Sequence, residues 1–231
     1  YQIGNGTATG SESVAIGDGA TSQGIGSVAM GQYAKAVGTN TTAIGSGTKA
    51  DGNDATAVGN NAQAIGMYST AVGNLAKANE KYSTALGYEA TAEAERSTAI
   101  GMKALVGVGA TDSFAIGNGT LVTGQYGVAL GQQAKVTKDF SSAIGYMAEA
   151  NSSGSAAIGA WAKTSGGDSA ALGNHAEASG FRSLALGNST KASGFESLAL
   201  GLLAEASGSA SNAIGWSAKA TAQNATAIGS R

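Results

Sequence analysis

Ser197-Leu198-Ala199-Leu200-Gly201 is one copy of a short motif that recurs from one end of the chain to the other. The core of each copy is an alanine, then an isoleucine, valine, leucine or methionine, then a glycine. That glycine occupies positions 17, 31, 45, 59, 73, 87, 101, 117, 131, 145, 159, 173, 187, 201, 215 and 229. The interval is constant at 14 except between Gly101 and Gly117, where it is 16. Sixteen copies at a fixed period indicate a stack of repeats and not an ordinary globular core.

The composition is that of an ordered stack, and it excludes several classes of protein. The 231 residues include 37 glycines and no proline, and 42% of them are hydrophobic. Because the glycines follow the repeat, they indicate order and not a flexible low-complexity chain. The formal net charge is −2 with 12% charged residues, which provides no basic surface for nucleic acid. The lack of cysteine excludes disulfides and thiolate metal sites.

Within one repeat, numbered from its glycine as position zero, the side chains follow the period of a β-strand. Positions +3 and +5 are mostly alanine, as in Ala204 and Ala206, whereas position +4 is mostly charged or polar. This alternation predicts a strand with one face in water. Positions −3 to 0 are apolar or small, which predicts a strand buried on both faces. Each repeat is therefore predicted to be strand, turn, strand, turn, and the repeats to pair in parallel as an all-β roll of two sheets.

The first strand of each repeat has two apolar faces, and a thin roll can bury only one of them. We assign the −1 column, which includes Ile144 and Leu200, to the interior, against the alanines at +3 and +5. The alanines at −2, such as Ala143, and the zero-position glycines then form a smooth outer face. A long apolar strip is unusual on a monomer, so we expect identical chains to pack on it.

The +4 column alternates in charge over the last repeats, reading Glu149, Lys163, Glu177, Lys191, Glu205 and Lys219. In a parallel stack these side chains lie about 4.8 Å apart, where opposite charges attract. The alternation therefore indicates stacking in register. The one longer repeat, near 102–116, is predicted to place its two extra residues in a turn. A stack has no internal boundary, so residues 1–231 are predicted to be one domain of about sixteen coils.

The repeats resemble the head of the YadA-like trimeric autotransporter adhesins. The likeness is carried by Ser13-Val14-Ala15-Ile16-Gly17 followed by Ala20, and by Ser197 to Gly201 followed by Ala204-Glu205-Ala206. It extends from about residue 11 to the end of the chain. The resemblance implies a left-handed parallel β-roll solenoid and a homotrimer of chains packed side by side.

The same resemblance implies a function at the surface of a Gram-negative bacterium. A stalk and a C-terminal outer-membrane anchor are expected to hold the head outside the cell, and neither is recognisable in this chain. The expected partners are extracellular matrix proteins such as collagen or fibronectin, host cells, or other bacteria. Contact with a membrane is expected only through the missing anchor.

No catalytic or metal site is predicted. His175 is the single histidine and follows Gly173-Asn174 at a predicted turn, so neither a triad nor a metal cluster can form around it within one chain. The aspartates are scattered, without the spacing of calcium loops. We therefore predict that the protein is not an enzyme and holds neither a metal nor a cofactor.

Aromatic residues near the second turn of the repeat are the candidate ligand-binding residues. They occupy positions +8 or +9, and we expect them along one rim of the roll: Tyr68, Tyr82, Tyr126, Phe140, Phe181 and Phe195. Exposed aromatic rings suit contact with apolar groups of a partner. The alternative is that these rings cover the turn backbone or seal the edge between chains.

A column of threonines at −3 suggests an alternative function, that of an ice- or polysaccharide-binding β-solenoid. Its members are Thr42, Thr56, Thr70, Thr84 and Thr98. Ice binding requires these side chains on a flat outer face. They share a face with the −1 column that we assign to the interior, so we expect buried hydroxyls bonded to the backbone. An acyltransferase of the hexapeptide class comes third, because its coils are longer and it needs a catalytic histidine.

Overall fold

The computed structural model describes residues 1–230 and contains an all-β parallel solenoid of about sixteen coils, one coil for each sequence repeat. The chain divides into two compact units, Tyr1–Gly119 and Thr120–Arg231. Every regular element among the described residues is a strand. No helix suited to crossing a membrane occurs among those residues. The single domain over residues 1–231 stays a prediction.

The strands are short and evenly spaced in both units. The first unit contains β1 (Gln2–Ile3), β2 (Thr7–Ala8), β3 (Val14–Ile16), β4 (Thr21–Ser22), β5 (Val28–Met30), β6 (Lys35–Ala36), β7 (Thr42–Ile44), β8 (Lys49–Ala50), β9 (Thr56–Val58), β10 (Gln63–Ala64), β11 (Thr70–Val72), β12 (Lys77–Ala78), β13 (Thr84–Leu86), β14 (Thr91–Ala92), β15 (Thr98–Ile100), β16 (Leu105–Val106) and β17 (Phe114–Ile116). The second unit contains β18 (Leu121–Val122), β19 (Val128–Leu130), β20 (Lys135–Val136), β21 (Ser142–Ile144), β22 (Glu149–Ala150), β23 (Ala156–Ile158), β24 (Lys163–Thr164), β25 (Ala170–Leu172), β26 (Glu177–Ala178), β27 (Leu184–Leu186), β28 (Lys191–Ala192), β29 (Leu198–Leu200), β30 (Glu205–Ala206), β31 (Asn212–Ile214), β32 (Lys219–Ala220) and β33 (Thr226–Ile228).

In each unit the odd-numbered strands form one parallel sheet, called the odd sheet, and the even-numbered strands form the other, the even sheet. Each strand pairs with its equivalent one coil later, as Thr70 of β11 does with Thr84 of β13. The coils are therefore stacked in register. In the one longer coil the extra residues lie between β16 and β17, where Val108 is 82% exposed, and β15 still pairs in register with β17.

Two tight turns join the sheets in every coil. In the first turn the N–H of Ala162 donates to the carbonyl of Gly159 at 3.3 Å, and Trp161 between them has a φ of 55°. In the second turn the N–H of Ser183 donates to Gly180 at 3.2 Å, and Arg182 has a φ of 53°. A positive φ at the third of four residues is typical of a type II turn. No described residue with positive φ is β-branched, because branching at Cβ is unfavourable there.

The interior of each unit consists of small side chains. From the odd sheet, alanines at −2 such as Ala143 and serines at −4 such as Ser141 are fully buried, and from the even sheet so are Ala148 and Ala150. The largest fully buried side chains are valines of the even sheet, among them Val136. Several −4 serines, among them Ser27, Ser169 and Ser197, also close the second turn, since their hydroxyls donate to the carbonyl three residues earlier. The two sheets can therefore lie close together.

The assignment of the two faces made from the sequence is wrong. Ala143 points into the roll, whereas Ile144, which is 36% exposed, and Leu200 point outward. The physical reason is space, because alanines on both sheets leave no room for an isoleucine or leucine column between them. The −3 threonines share the outer face and are half-buried there, so the expectation of buried threonines is also wrong.

The zero-position glycines set the distance between coils. Their φ values lie between 124° and 139°, a region that other residues rarely adopt. A Cβ on Gly145 would lie 2.5 Å from the carbonyl oxygen of Gly159 in the next coil. The N–H of Gly145 donates to the carbonyl of Leu130 in the preceding coil at 2.8 Å. Gly145 therefore fits between two backbones that leave no space for a side chain, and a Cβ on most other zero-position glycines would lie 2.2–2.7 Å from the next coil.

The substitution Gly145→Ala is expected to destabilise the protein by roughly 2–6 kcal/mol, because it adds a strained φ and a clash with the next coil. Gly109→Ala is the matched control, since Gly109 also has a positive φ of 80° but no atom within 4 Å of its added Cβ. It should cost only about 1–2 kcal/mol. Urea denaturation followed by circular dichroism measures both, and equal losses would show that contact between coils is not the constraint.

Candidate functional site

The second turn of each coil places the predicted aromatic residues in stacked pairs. In the first unit the rings of Tyr68 and Tyr82 lie 5.1 Å apart and within 4° of parallel. Both residues occupy the positive-φ position, and the N–H of Tyr82 donates to the carbonyl of Met67 at 2.9 Å. Because this turn repeats in register, side chains at the same position in successive coils meet face to face.

The second unit holds two further pairs. The rings of Tyr126 and Phe140 lie 5.0 Å apart, and those of Phe181 and Phe195 lie 5.7 Å apart. A cation accompanies two of the three pairs, since the Lys81 ammonium is 4.9 Å from the ring centre of Tyr82 and the Arg182 guanidinium is 5.0 Å from that of Phe181. Both distances are in the range of cation–π contacts.

All six predicted residues are between 41% and 66% exposed. Stacking therefore covers part of each ring and leaves the rest in contact with water. The six residues do not form one continuous rim, because other residues occupy the same turn position between the pairs, such as Gly154 and Asp168. Their role in ligand binding stays a hypothesis.

Polar contacts also occur at the turns. Arg96 donates two hydrogen bonds to the Asp112 carboxylate, at 2.6 and 2.9 Å, and these bonds lower the pKa of Asp112. In the first turn, a hydrogen bond to Glu89 raises the pKa of Tyr88. Arg182 and Glu196 form a similar pair one coil apart, at 3.3 Å. Some turns of successive coils are thus linked by ring stacking and others by ion pairs.

The alternating +4 column is paired in register on the outer face of the even sheet. Lys163 lies 3.5 Å from Glu149, and Lys219 lies 2.9 Å from Glu205. The strand register places Glu149 directly beside Lys163, which confirms the predicted stacking. These side chains are between 34% and 52% exposed, so each pair contributes under about 1 kcal/mol.

A second aromatic cluster, at the first turn, was not predicted. The imidazole of His175 stacks on the indole of Trp161 at 4.8 Å, and the ring of Tyr146 meets the same indole edge-on at 5.0 Å. The sequence contains a signal that could have predicted this stack, because Trp161 and His175 occupy the same position in successive repeats. His175 lies in a turn, as predicted.

The described surface suits contact by ring stacking, apolar packing and hydrogen bonding. Across residues 1–230, no group of three or more histidine, aspartate or glutamate side chains is placed to hold a metal ion. The residues with recognisable binding chemistry are distributed along both turns and along the even sheet.

Comparison with known proteins gives a family match along most of the chain. A model of the YadA head domain repeat matches residues 8–34, 36–62, 50–76, 64–90, 78–104, 123–148, 150–176, 178–204 and 206–231. No curated protein matches the chain. Among solved structures, the collagen-binding domain of the Yersinia adhesin YadA is 25% identical, over 74% of this chain and 71% of that one, with a TM-score of 0.36. Because that TM-score is low, the family assignment rests on the repeats.

Proposed function

This chain belongs to the YadA head domain family, and we propose that it is the adhesive head of a trimeric protein anchored in the outer membrane of a bacterium. The observation that carries the proposal is the repetition of the same outward side-chain columns in every coil. Such a surface offers many similar contacts to an extended partner. Linked weak contacts multiply affinity without any single strong site.

The homotrimer is supported by the apolar outer face of the odd sheet. Its −1 column exposes large apolar side chains over many coils, among them Met30, Ile44, Ile144, Ile158, Leu186 and Leu200. A free apolar face of this kind is unusual on a monomer. The occupant we propose is a second and third copy of this chain, because an identical face repeats with the same period and can pack coil against coil.

Neighbouring substitutions on β21 test this assembly. Ile144→Asp should give folded monomers instead of a trimer of about 67 kDa (three times 22.3 kDa), because burying unpaired carboxylates costs several kcal/mol. Ala143→Asp should unfold the chain, since Ala143 is inside the roll. Gln63→Asp, on the outer face of the even sheet, should leave the trimer intact.

Size exclusion with light scattering measures the mass of each variant, and circular dichroism measures its fold. A wild-type monomer would refute the homotrimer. A trimer that tolerates Ile144→Asp would mean that a different face joins the chains.

The partners we propose are extracellular matrix proteins such as collagen or fibronectin, host cells, or other bacteria. With 12% charged residues the surface provides little electrostatic steering, so the contacts should be mainly apolar and hydrogen-bonded. The stacked aromatic pairs of the second turn are the side chains best suited to the apolar part.

Two deletions of equal length separate the aromatic pairs from the rest of the surface. Removing residues 60–87 deletes two coils with Tyr68 and Tyr82, whereas removing residues 18–45 deletes two coils without any of the six predicted rim residues. Both deletions rejoin the chain in register. We expect weaker binding to immobilised collagen or fibronectin after either deletion, with the larger loss after 60–87, and little effect of Phe181→Ala.

Surface plasmon resonance compares these variants with the intact chain. Abolition of binding by Phe181→Ala, with the trimer intact, would contradict a distributed surface and indicate a discrete pocket. If the two deletions weaken binding equally, the aromatic pairs are not special contact residues, but the proposed adhesin function stands.

Ice binding has one observation in its favour. Thr42, Thr56, Thr70, Thr84 and Thr98 lie side by side on the outer face of the odd sheet, in register on consecutive strands. The column is interrupted after Thr98, because Thr226 is the one threonine at this position in the second unit and valine, serine, alanine, leucine or asparagine occupies it elsewhere there. The proposed trimer also covers this face. A thermal hysteresis that is lost in Thr70→Val would favour ice binding over adhesion.

A further inference from the structure

A groove of about 720 Å³ lies in the second unit, between the first turn and the outer face of the even sheet. Trp216 and Leu203 from the first turn form one wall, and Lys191, Glu205 and Lys219 of the +4 column form the other. This volume is within the range of small-molecule sites in proteins.

The repeat explains why a groove forms at this place. The side chain at +3 is a small alanine turned into the roll, as Ala204 is, so nothing projects outward from this position. The residues at +2 and +4 on either side project into water. A large side chain in the first turn and a long one at +4 therefore produce a channel, and a smaller groove of about 200 Å³ occurs between Trp161 and Lys163.

Trp216 differs from Trp161 in its ring contacts. Within residues 1–230, Trp161 is stacked on His175 and contacted by Tyr146, whereas no ring or cation stacks on Trp216. The residue one coil later in the Trp216 column is Ser230, whose small side chain cannot cover an indole. Trp216 is 54% exposed, so about half of its side chain is accessible to a ligand.

The opposite wall supplies fixed hydrogen-bonding groups. The Lys219 ammonium lies 2.9 Å from the Glu205 carboxylate, and the Lys191 ammonium lies 3.7 Å from Glu177 in the coil before. Each ammonium has three donors and each carboxylate accepts several hydrogen bonds. The ion pairs hold these groups along the groove while they remain half-exposed, so they can donate and accept at once.

We propose that this groove binds a sugar ring of a glycan. A pyranose has a face of C–H groups, which packs on an indole, and a rim of hydroxyls, each of which donates and accepts hydrogen bonds. The groove matches both features, with Trp216 and Leu203 on the apolar side and the Lys191, Glu205 and Lys219 column on the polar side. This site goes beyond the proposed adhesion to matrix proteins and does not depend on it.

Titration of the intact protein with chitotetraose, maltotetraose and sialyllactose, followed by tryptophan emission and calorimetry, tests the proposal. We expect saturable binding of at least one of these sugars. Trp216→Ala should weaken it by about tenfold or more, the usual effect of removing a central tryptophan, and Lys219→Gln should also weaken it. Trp161→Ala, which removes a first-turn tryptophan at position +2 in the smaller groove, is the control and should leave the affinity unchanged.

Lack of binding to all three sugars overturns the proposal, as does an equal loss in both tryptophan variants. Binding of an oligolysine peptide at Trp216 without binding of any sugar would also overturn it, in favour of a cation–π protein site. Thermal unfolding of each variant shows that the fold is retained. The binding of Trp216→Ala to collagen or fibronectin is measured as well, to separate the two functions. Matrix adhesion can fail while sugar binding persists, and sugar binding can fail while matrix adhesion persists.

Discussion

The contact between zero-position glycines of successive coils is the constraint on which the rest of the structure depends. Most of these glycines, such as Gly145, donate their N–H to the preceding coil and leave no space for a Cβ against the next one. The coils are therefore held at the spacing of parallel strands, even in the turns. Every side chain then lies against its equivalent in the next coil, so a column of like residues becomes a continuous feature. Ring stacks such as Tyr68 on Tyr82 and ion pairs such as Glu205 with Lys219 are direct results of that spacing.

Close packing of the two sheets has an unusual effect on where the apolar residues lie. The interior accepts alanine, serine, threonine and some valine, so each coil buries little apolar surface by itself. Stability within a coil stack comes largely from the backbone ladder, which satisfies the N–H groups of both turns as well as those of the strands. The larger side chains, such as Ile144 and Leu200, are left on the outside. An apolar outer face favours assembly, and the same thin interior therefore accounts for both the simple repeat and the expected oligomer.

Much of this fold could be predicted from the sequence, because a strict period determines the pairing register, the strand positions and the turns. The faces of the odd sheet could not be assigned by alternation alone, since both the −2 and −1 columns are apolar. The range of residue types in each column was the better guide to which face is buried. Position −2 is alanine in every copy, whereas −1 is isoleucine, valine, leucine or methionine, and a close-packed interior tolerates less change of volume than a surface does. The aromatic pairs were placed correctly at the second turn, but the stack of Trp161 and His175 was missed because the first turn holds mostly polar residues.

The separation of a fixed interior from a variable exterior is compatible with the several binding functions that we propose for this chain. Positions −4, −2, 0, +3 and +5 are confined to small residues by packing, and any change there disturbs the neighbouring coils. The turn positions +1, +2, +8 and +9 have no such limit beyond the rejection of β-branched residues where φ is positive. A tryptophan at 216 or a phenylalanine at 181 therefore adds a contact surface without altering the roll. The two turns lie on different edges of the coil, and the apolar face of the odd sheet lies on a third side. The proposed self-association and the two proposed kinds of ligand contact therefore use different residues and do not compete.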